Sequence, residues 1–405
     1  MFRAGLTRVD GRKVARAALA PLACTWPAVR LVAVGKAALA MTQGALAILG
    51  DRVRAGLVVT KAGHGGSLPP GVPIRILEAG HPLPDATSLQ AGAALLDFLA
   101  ADPARTEEER GLFLLSGGAS ALVEALPDRV TLEDLRRVNG WLLGSGLDIH
   151  QMNRIRKRLS RIKGGRLAAH LAGRSATVLL LSDVPGDNPA SIGSGPLLPE
   201  LDTPLPEGLP TWLRELLDRV PPPPVPGDPM FARIDTRLIG SVGDALRAAG
   251  LRARCRGWHV RLAAGTLSGD AATQGAAVAA ALLQGAPGVY LWGGETTVVL
   301  PPNPGRGGRN QHLALAAAQV IQGREDVIIL AAGSDGSDAD SPWAGAVVDG
   351  KTIARGQAAG HDPVQALARA DAQAFLAASG GLLATGPTGT NVMDLVIGLK
   401  MALGR

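Results

Sequence analysis

Cysteine is nearly absent: 405 residues carry two, Cys24 and Cys255, far apart in the chain. A chain of this length buries most of its unfolded surface without covalent staples, so both are read as buried thiols of a reducing compartment. No Cys/His spacing suits a metal site, and the seven histidines form neither HExxH nor a triad beside a nucleophile elbow. Aromatic residues are only 3%, with one Tyr and five Phe. Few platforms then exist for stacked bases, and the net charge of +6 is not read as a nucleic-acid footprint. No uncharged apolar run reaches the roughly 20 residues of a membrane span. Residues Met1–Leu6 lack the apolar core of a secretory signal. A cytoplasmic protein is expected, with no membrane and no nucleic-acid partner. Two further absences bear on chemistry. No G-x-G-x-x-G follows a strand-like run, and no complete Walker A loop is present.

What the chain does have is a rhythm. Leu31–Val34, Gly56–Thr60, Leu112–Leu115 and Ala176–Leu181 are short apolar runs bounded by Gly, Ser or Asp. Uniform apolarity without alternation marks strands covered on both faces, as in a parallel sheet. Each run precedes a glycine-bearing loop and an Ala/Leu-rich helical stretch, the signature of an α/β, doubly wound sheet. Residues 198–229 break the rhythm with many prolines, including Pro221–Pro224, which neither helix nor central strand tolerates. This stretch reads as a stiff linker or surface excursion, interrupted by a short helix near Trp212–Val220. Afterwards Val289–Trp292, Val327–Leu330 and Gly381–Thr385 are strand candidates, and Ala271–Leu283 and Gln311–Ile321 helix candidates. Two domains are expected: residues 1–235, ending in the Pro-rich linker, and residues 236–405.

In an open α/β sheet ligands bind beyond the carboxyl ends of the strands, so loops that follow strand candidates matter most. Gly35-Lys36-Ala37 puts an ammonium at such an end, where it can meet a phosphate or a carboxylate. Ser116-Gly117-Gly118-Ala119-Ser120 follows a strand and opens a helix, so its bare amides suit an anion. Asp183 and Asp187 follow the next strand; either can hold Mg²⁺, accept a hydroxyl proton, or simply shape the turn. Glu295 follows the strand candidate Val289–Trp292, and further on Arg306 and Arg309 among glycines suit an oxyanion. Asp335, Asp338 and Asp340 place three acids within six positions, and Thr385, Thr388, Thr390 and Asn391 form a hydroxyl-rich loop. The densest charge lies at residues 153–167, with seven cations and no acid in fifteen residues. A solvated helix face normally mixes both signs, so this stretch reads as part of a site for a phosphorylated ligand.

Taken in order, these segments resemble one family. Gly35-Lys36-Ala37-Ala38, Gly80-His81-Pro82-Leu83-Pro84-Asp85, Ser116-Gly117-Gly118-Ala119-Ser120, Asn153-Arg154-Ile155-Arg156-Lys157, Lys163-Gly164-Gly165-Arg166-Leu167, Ser182-Asp183-Val184, Gly293-Gly294-Glu295-Thr296, Gly307-Gly308-Arg309-Asn310-Gln311 and Thr385-Gly386-Pro387-Thr388-Gly389-Thr390-Asn391 are similar to the glycerate 2-kinases with a MOFRL domain. The likeness spans nearly the whole chain. It departs from the family pattern at Arg158, Asn188 and Pro342.

The resemblance implies two Rossmann-like α/β domains with a cleft between them, and transfer of phosphate from ATP to D-glycerate with a divalent metal, taken as Mg²⁺. A homodimer is compatible with it. Residue by residue it implies Lys36, Arg309 and Asp183 as catalytic. Ser116, Gly117, Gly118, Ser120, Gly308, Asn310, Thr388 and Asn391 would hold ATP phosphates, and Asn153, Arg156, Lys157 and Glu295 the substrate. Asp187 and Asp335 would hold the metal. His64 and His81 are expected to line the cleft. Relatives of this kind often carry the label hydroxypyruvate reductase, but the missing dinucleotide loop speaks against an NAD(P)H-linked reaction. A non-catalytic nucleotide-binding relative is the other alternative, favoured by Pro342 standing where the family has Asp.

Overall fold

The computed structural model describes residues 1–101, 109–199 and 204–402. It divides into two compact units. One is Gly11–Ile239; the other is Gly240–Arg405 together with Met1–Asp10. Part of the proline-rich stretch, residues 200–203, lies outside the described residues.

The Gly11–Ile239 unit is built on six strands: β1 (Ala28–Val34), β2 (Val53–Lys61), β3 (Ile74–Ala79), β4 (Glu109–Leu115), β5 (Ala176–Leu181) and β6 (Ile234–Gly240). Their order is β3-β2-β1-β4-β5-β6, and every pairing from β3 to β5 is parallel. The strands read from uniform apolar runs are the inner ones. All six residues of β5 are buried, as are the last four of β1 and of β4. β3, at the edge, keeps Arg75 and Glu78 among its apolar residues, and its mixed pattern hid it from the sequence reading. Chain order runs outward from β1 in one direction to β3, then restarts on the other side at β4. Such a reversal opens a crevice beyond the carboxyl ends of β1 and β4.

The other unit carries β7 (Val260–Leu262), β8 (Gly288–Gly294), β9 (Val327–Gly333), β10 (Gly345–Asp349), β11 (Leu382–Leu383) and β12 (Asp394–Lys400). The order is β11-β10-β9-β12-β8-β7. This sheet is mixed. β12 inserts between β8 and β9 and runs antiparallel to both. β8 and β9 are therefore parallel to each other, and the first residue of β12 sits at the same edge as their last. Register confirms it: Asp394 pairs with Gly294 on one side and with Gly333 on the other.

Two expectations about organisation change. The Pro-rich stretch does not end the first unit, because the chain afterwards returns to add β6 to the first sheet. Helix Thr211–Asp218 within it buries Leu213, Leu216 and Leu217 against Val138, Leu142, Ile155 and Leu159. That small core seats helix Ile149–Arg158. The first ten residues also leave the unit that follows them and pack with the later one. Cys24 and Cys255 are unpaired but exposed, not buried. Among the described residues no helix is long and apolar enough to cross a membrane.

Helices Ala271–Gln284 and Arg309–Val320 lie so close that a Cβ on Gly275 would overlap the carbonyl oxygen of Leu313. Gly275→Ala should gain about 1 kcal/mol of helix propensity yet lose about 1–3 kcal/mol to overpacking. Urea denaturation should show a net loss of stability; a net gain would mean that the helices separate freely.

Candidate functional site

In the Gly11–Ile239 unit, Lys36 stands directly beyond β1 and Ser116 beyond β4, at the crevice. Backbone and side-chain bonds lock the two loops together. Lys36 N donates to Gly117 O (2.9 Å), Ser116 N to Val34 O (3.0 Å), and Ala37 N to the Ser116 hydroxyl (3.1 Å). Gly35 adopts φ +129°, and a Cβ there would overlap Ser116, so only glycine permits this approach. A Cβ on Gly118 would stand 3.2 Å from the His81 ring and 3.4 Å from Cγ of Lys36. His81, Lys36 and Gly118 thus share one small space. Two expectations shift. Ser116 is fully buried and its hydroxyl clamps the loops instead of facing a ligand. The helix that follows, Ala119–Leu122, has only four residues. Its dipole adds little to anion binding, and what remains are the loop amides and Lys36. The Ser120 and Ser194 hydroxyls are 2.7 Å apart.

The loop after β5 carries the candidate carboxylates. Asp187 adopts φ +54°, and its Oδ1 is buried without a hydrogen-bond partner. An orphaned buried carboxylate oxygen fits a cation ligand. Among the described residues, however, no group of three or more His, Cys, Asp or Glu gathers closely enough to hold a metal. The donors therefore fit Mg²⁺ only in its usual manner, through one or two carboxylates plus substrate phosphates.

The cation-dense stretch is largely spent inside the protein. Lys163 Nζ meets Glu124 Oε2 at 2.6 Å, both at most 4% exposed, and Ser160 donates to the other oxygen at 2.6 Å. Such a pair is costly to break, since either partner alone would be an uncompensated buried charge. Lys157 is buried and donates to Ala190 O (3.0 Å), which ties its helix to the Asp183–Asp187 loop. Arg166 reaches the carbonyls of Lys157 (2.9 Å) and Pro221 (2.5 Å), and Arg154 that of Pro204 (2.8 Å). Arg156 donates to Asn139 (2.9 Å) and Asn153 (3.3 Å), and its burial lowers its pKa. The sequence reading of this stretch as mainly ligand-facing is corrected: Asn153 and Arg156 form one hydrogen-bonded pair, while Lys157 positions a loop.

In the other unit, the shared edge of β8, β9 and β12 gathers a second cluster. Arg309 opens helix Arg309–Val320 and grips Asp394 with two nitrogens (2.5 and 3.0 Å), and a third meets Glu295 (2.7 Å). Burial opposes the guanidinium charge, but Asp394, then Glu295 and Asp338, outweigh it and raise its pKa above the ordinary value. Asp338 accepts from the backbone N–H groups of Asn310 (3.1 Å) and Gln311 (2.9 Å) and from the Asn310 amide (3.2 Å). It thereby caps the helix. Asn310 is 2% exposed, and Gly308 lies so close to Asp338 that a Cβ would overlap it. Both serve that cap. Asp335 accepts from Ser337 N (2.9 Å), and Thr388 Oγ1 donates to Ser334 O (2.5 Å). Asp394 and the capping role of Asp338 escaped the sequence reading. Asp394 is a lone acid at the start of an apolar run, with no motif around it.

Burial, with the Asp394 charge adding to it, pushes the Asp338 carboxyl up to about 6, against the bonds from Gln311 and Asn310 and the Arg309 charge. The folded pKa exceeds the unfolded 3.8, so the unfolded chain releases this proton first as pH rises. The contribution is complete below about pH 4 and is lost by about pH 6, amounting to roughly 3 kcal/mol at most. Stability of the protein relative to Asp338→Asn should fall across that window in urea titrations. A pH-independent difference would refute it.

Comparison with known proteins agrees with this layout. Residues 1–206 match the family model described as "Domain of unknown function (DUF4147)", and residues 288–394 match the MOFRL family. A D-glycerate 2-kinase of Thermotoga maritima is 38% identical over 387 residues, 91% of this chain and 90% of that protein. A glycerate 2-kinase of Pyrococcus horikoshii is 34% identical, covering 92% of this chain and 87% of its own. The crystal structure of a glycerate kinase from Thermotoga maritima superposes with a TM-score of 0.84 at 34% identity, over 99% of this chain and 97% of that one. With relatives this similar along nearly its full length, the chain belongs to the glycerate 2-kinase family, with a MOFRL region in its second half.

Proposed function

We propose that the protein transfers the terminal phosphoryl group of ATP to the 2-hydroxyl of D-glycerate, forming 2-phosphoglycerate and ADP. The observation that carries this reading is the locked junction of Lys36 with Gly117 and Ser116 at the strand-order reversal. It offers backbone amides and an ammonium at the place where an α/β sheet receives a charged ligand. The kinase names of the relatives support it.

Phosphoryl transfer asks a protein for positioning and charge stabilisation more than for covalent chemistry. Lys36 would meet the charge that develops on the transferred group, and the Gly117 and Gly118 amides would hold its oxygens. The hydroxyl of glycerate loses its proton as its oxygen bonds to phosphorus; Asp183 is the proposed acceptor. Arg156, fixed by Asn153 and Asn139, is the proposed partner of the glycerate carboxylate. Asp187, with its orphaned oxygen, is the proposed metal contact in this unit. Mg²⁺, when bound, would neutralise phosphate charge.

The second cluster sets one guanidinium against Glu295, Asp335, Asp338 and Asp394. That excess of negative charge suits the cation accompanying the nucleotide, or its hydroxyls, better than bare phosphate. Arg309 stays charged there because its carboxylates hold it, and Thr388 and Asn391 belong to the same loop edge.

The direct test is an assay with ATP, Mg²⁺ and D-glycerate in which the phosphoglycerate isomer is identified. Formation of 2-phosphoglycerate is expected, with turnover abolished by EDTA and restored by excess Mg²⁺. Consumption of NADH with hydroxypyruvate in the absence of ATP would overturn the reading. Lys36→Ala should lower kcat by about 10²–10³-fold while the thermal transition is kept. Undiminished turnover in that folded variant would remove Lys36 from the mechanism.

A further inference from the structure

The first ten residues pack with the unit that begins at Gly240. Helix Phe2–Arg8 lies on helix Val242–Arg254, close enough that a Cβ on Gly5 would stand 3.0 Å from the carbonyl oxygen of Ala245. Phe2 is 7% exposed and Val9 not at all. Arg8 reaches Asp244 at 3.4 Å, a surface contact that contributes little by itself.

One bond from this segment goes further than packing. Val9 closes the first helix, where the last carbonyls have no partner within the helix. Its carbonyl accepts the Thr390 hydroxyl at 2.5 Å, and Thr390 is 1% exposed. Thr390 stands in the hydroxyl-rich loop between Thr388 and Asn391. The rest of that loop is tied to the end of β9. Thr388 donates to Ser334 O (2.5 Å), Thr390 N points at the Thr388 hydroxyl (3.4 Å), and Val392 N donates to the Ser334 hydroxyl (2.7 Å). Two residues later the chain delivers Asp394 to Arg309. The loop therefore has two moorings: β9 from its own half of the chain, and a carbonyl 381 positions away in sequence.

We infer that Thr390 is a positioning residue and that the N-terminal segment is a brace, holding Thr388 and Asn391 where the nucleotide is met. The bond itself stands on geometry; only its effect on turnover rests on the kinase reading. Thr390→Val keeps the shape of the side chain and deletes the donor. Thr390→Ser keeps the donor and deletes the methyl group.

Both variants of the full chain should be compared with the wild type by hydrogen-exchange mass spectrometry and by steady-state kinetics with ATP and D-glycerate. In Thr390→Val, exchange should speed up by about tenfold in peptides spanning 385–393 and 2–10, and elsewhere stay unchanged. KM for ATP should rise by about fivefold or more, with kcat changed less than about twofold, while Thr390→Ser behaves as wild type. Three results would overturn the brace. They are a Thr390→Val variant that matches wild type in both readouts, a Thr390→Ser variant that fails as badly as Thr390→Val, making the methyl group the cause, and exchange that rises throughout the unit, making the effect global. A wild-type protein that turned over no glycerate would defeat the kinase reading, and the exchange comparison would still decide the brace.

Discussion

Strand direction decides where chemistry can gather in this protein. In the Gly11–Ile239 unit the strands from β3 to β5 are parallel, so every βα loop leaves the same edge, and the reversal of order between β1 and β4 parts two of those loops. Lys36 and the Ser116–Gly118 turn meet there, held by the bonds from Lys36 N to Gly117 O and from Ala37 N to the Ser116 hydroxyl. In the other unit the same end is reached by a different route. β12 runs antiparallel between β8 and β9, so its first residue, Asp394, arrives beside the last residues of both neighbours. Reversing β12 would carry Asp394 to the far edge and leave Arg309 without its bidentate partner.

Charge is managed differently in the two places. Beyond β1 and β4 the groups at hand are an ammonium and backbone amides. The Lys163–Glu124 pair nearby is sealed, with both ends buried and the second Glu124 oxygen accepting from the Ser160 hydroxyl and Ala125 N. It shapes the turn that carries Gly164 and Gly165, whose amides donate to Ser194 O and Gly195 O (3.0 and 2.8 Å). At the edge of the other sheet carboxylates outnumber the single guanidinium, and its two ion pairs keep them ordered. The buried Lys163–Glu124 pair is weak evidence for stability, but removing either partner would leave an uncompensated buried charge.

In the first sheet, legibility in the sequence followed burial; in the second, the buried central strand β12 went unread. β1, β2, β4 and β5 were plain as apolar runs because both faces are covered. β3 and β6 were hidden because edge strands alternate with charged residues such as Arg75, Glu78, Asp235 and Arg237. Positions at strand ends were legible: Lys36, Asp183 and Glu295 follow β1, β5 and β8 within two residues. They were misjudged where charge density alone was the signal. Arg154, Lys157, Lys163 and Arg166 form a conspicuous run, yet their partners are the carbonyls of Pro204, Ala190, Lys157 and Pro221 and the carboxylate of Glu124, all distant enough in sequence to leave no local pattern.

The order of amino acids alone determined the α/β class, the inner strands of the first sheet, the glycine-bearing loops at their ends and the family likeness, because each is a local property of apolar runs and turn residues. Tertiary structure decided the direction of β12, the pairing of Arg309 with Asp394, the burial of Ser116 and the transfer of the first ten residues to the later unit. Those depend on which surfaces meet across tens to hundreds of residues, and hydrophobic burial is indifferent to sequence distance. Hydrogen bonds and ion pairs then select the one arrangement in which the buried polar groups are paired.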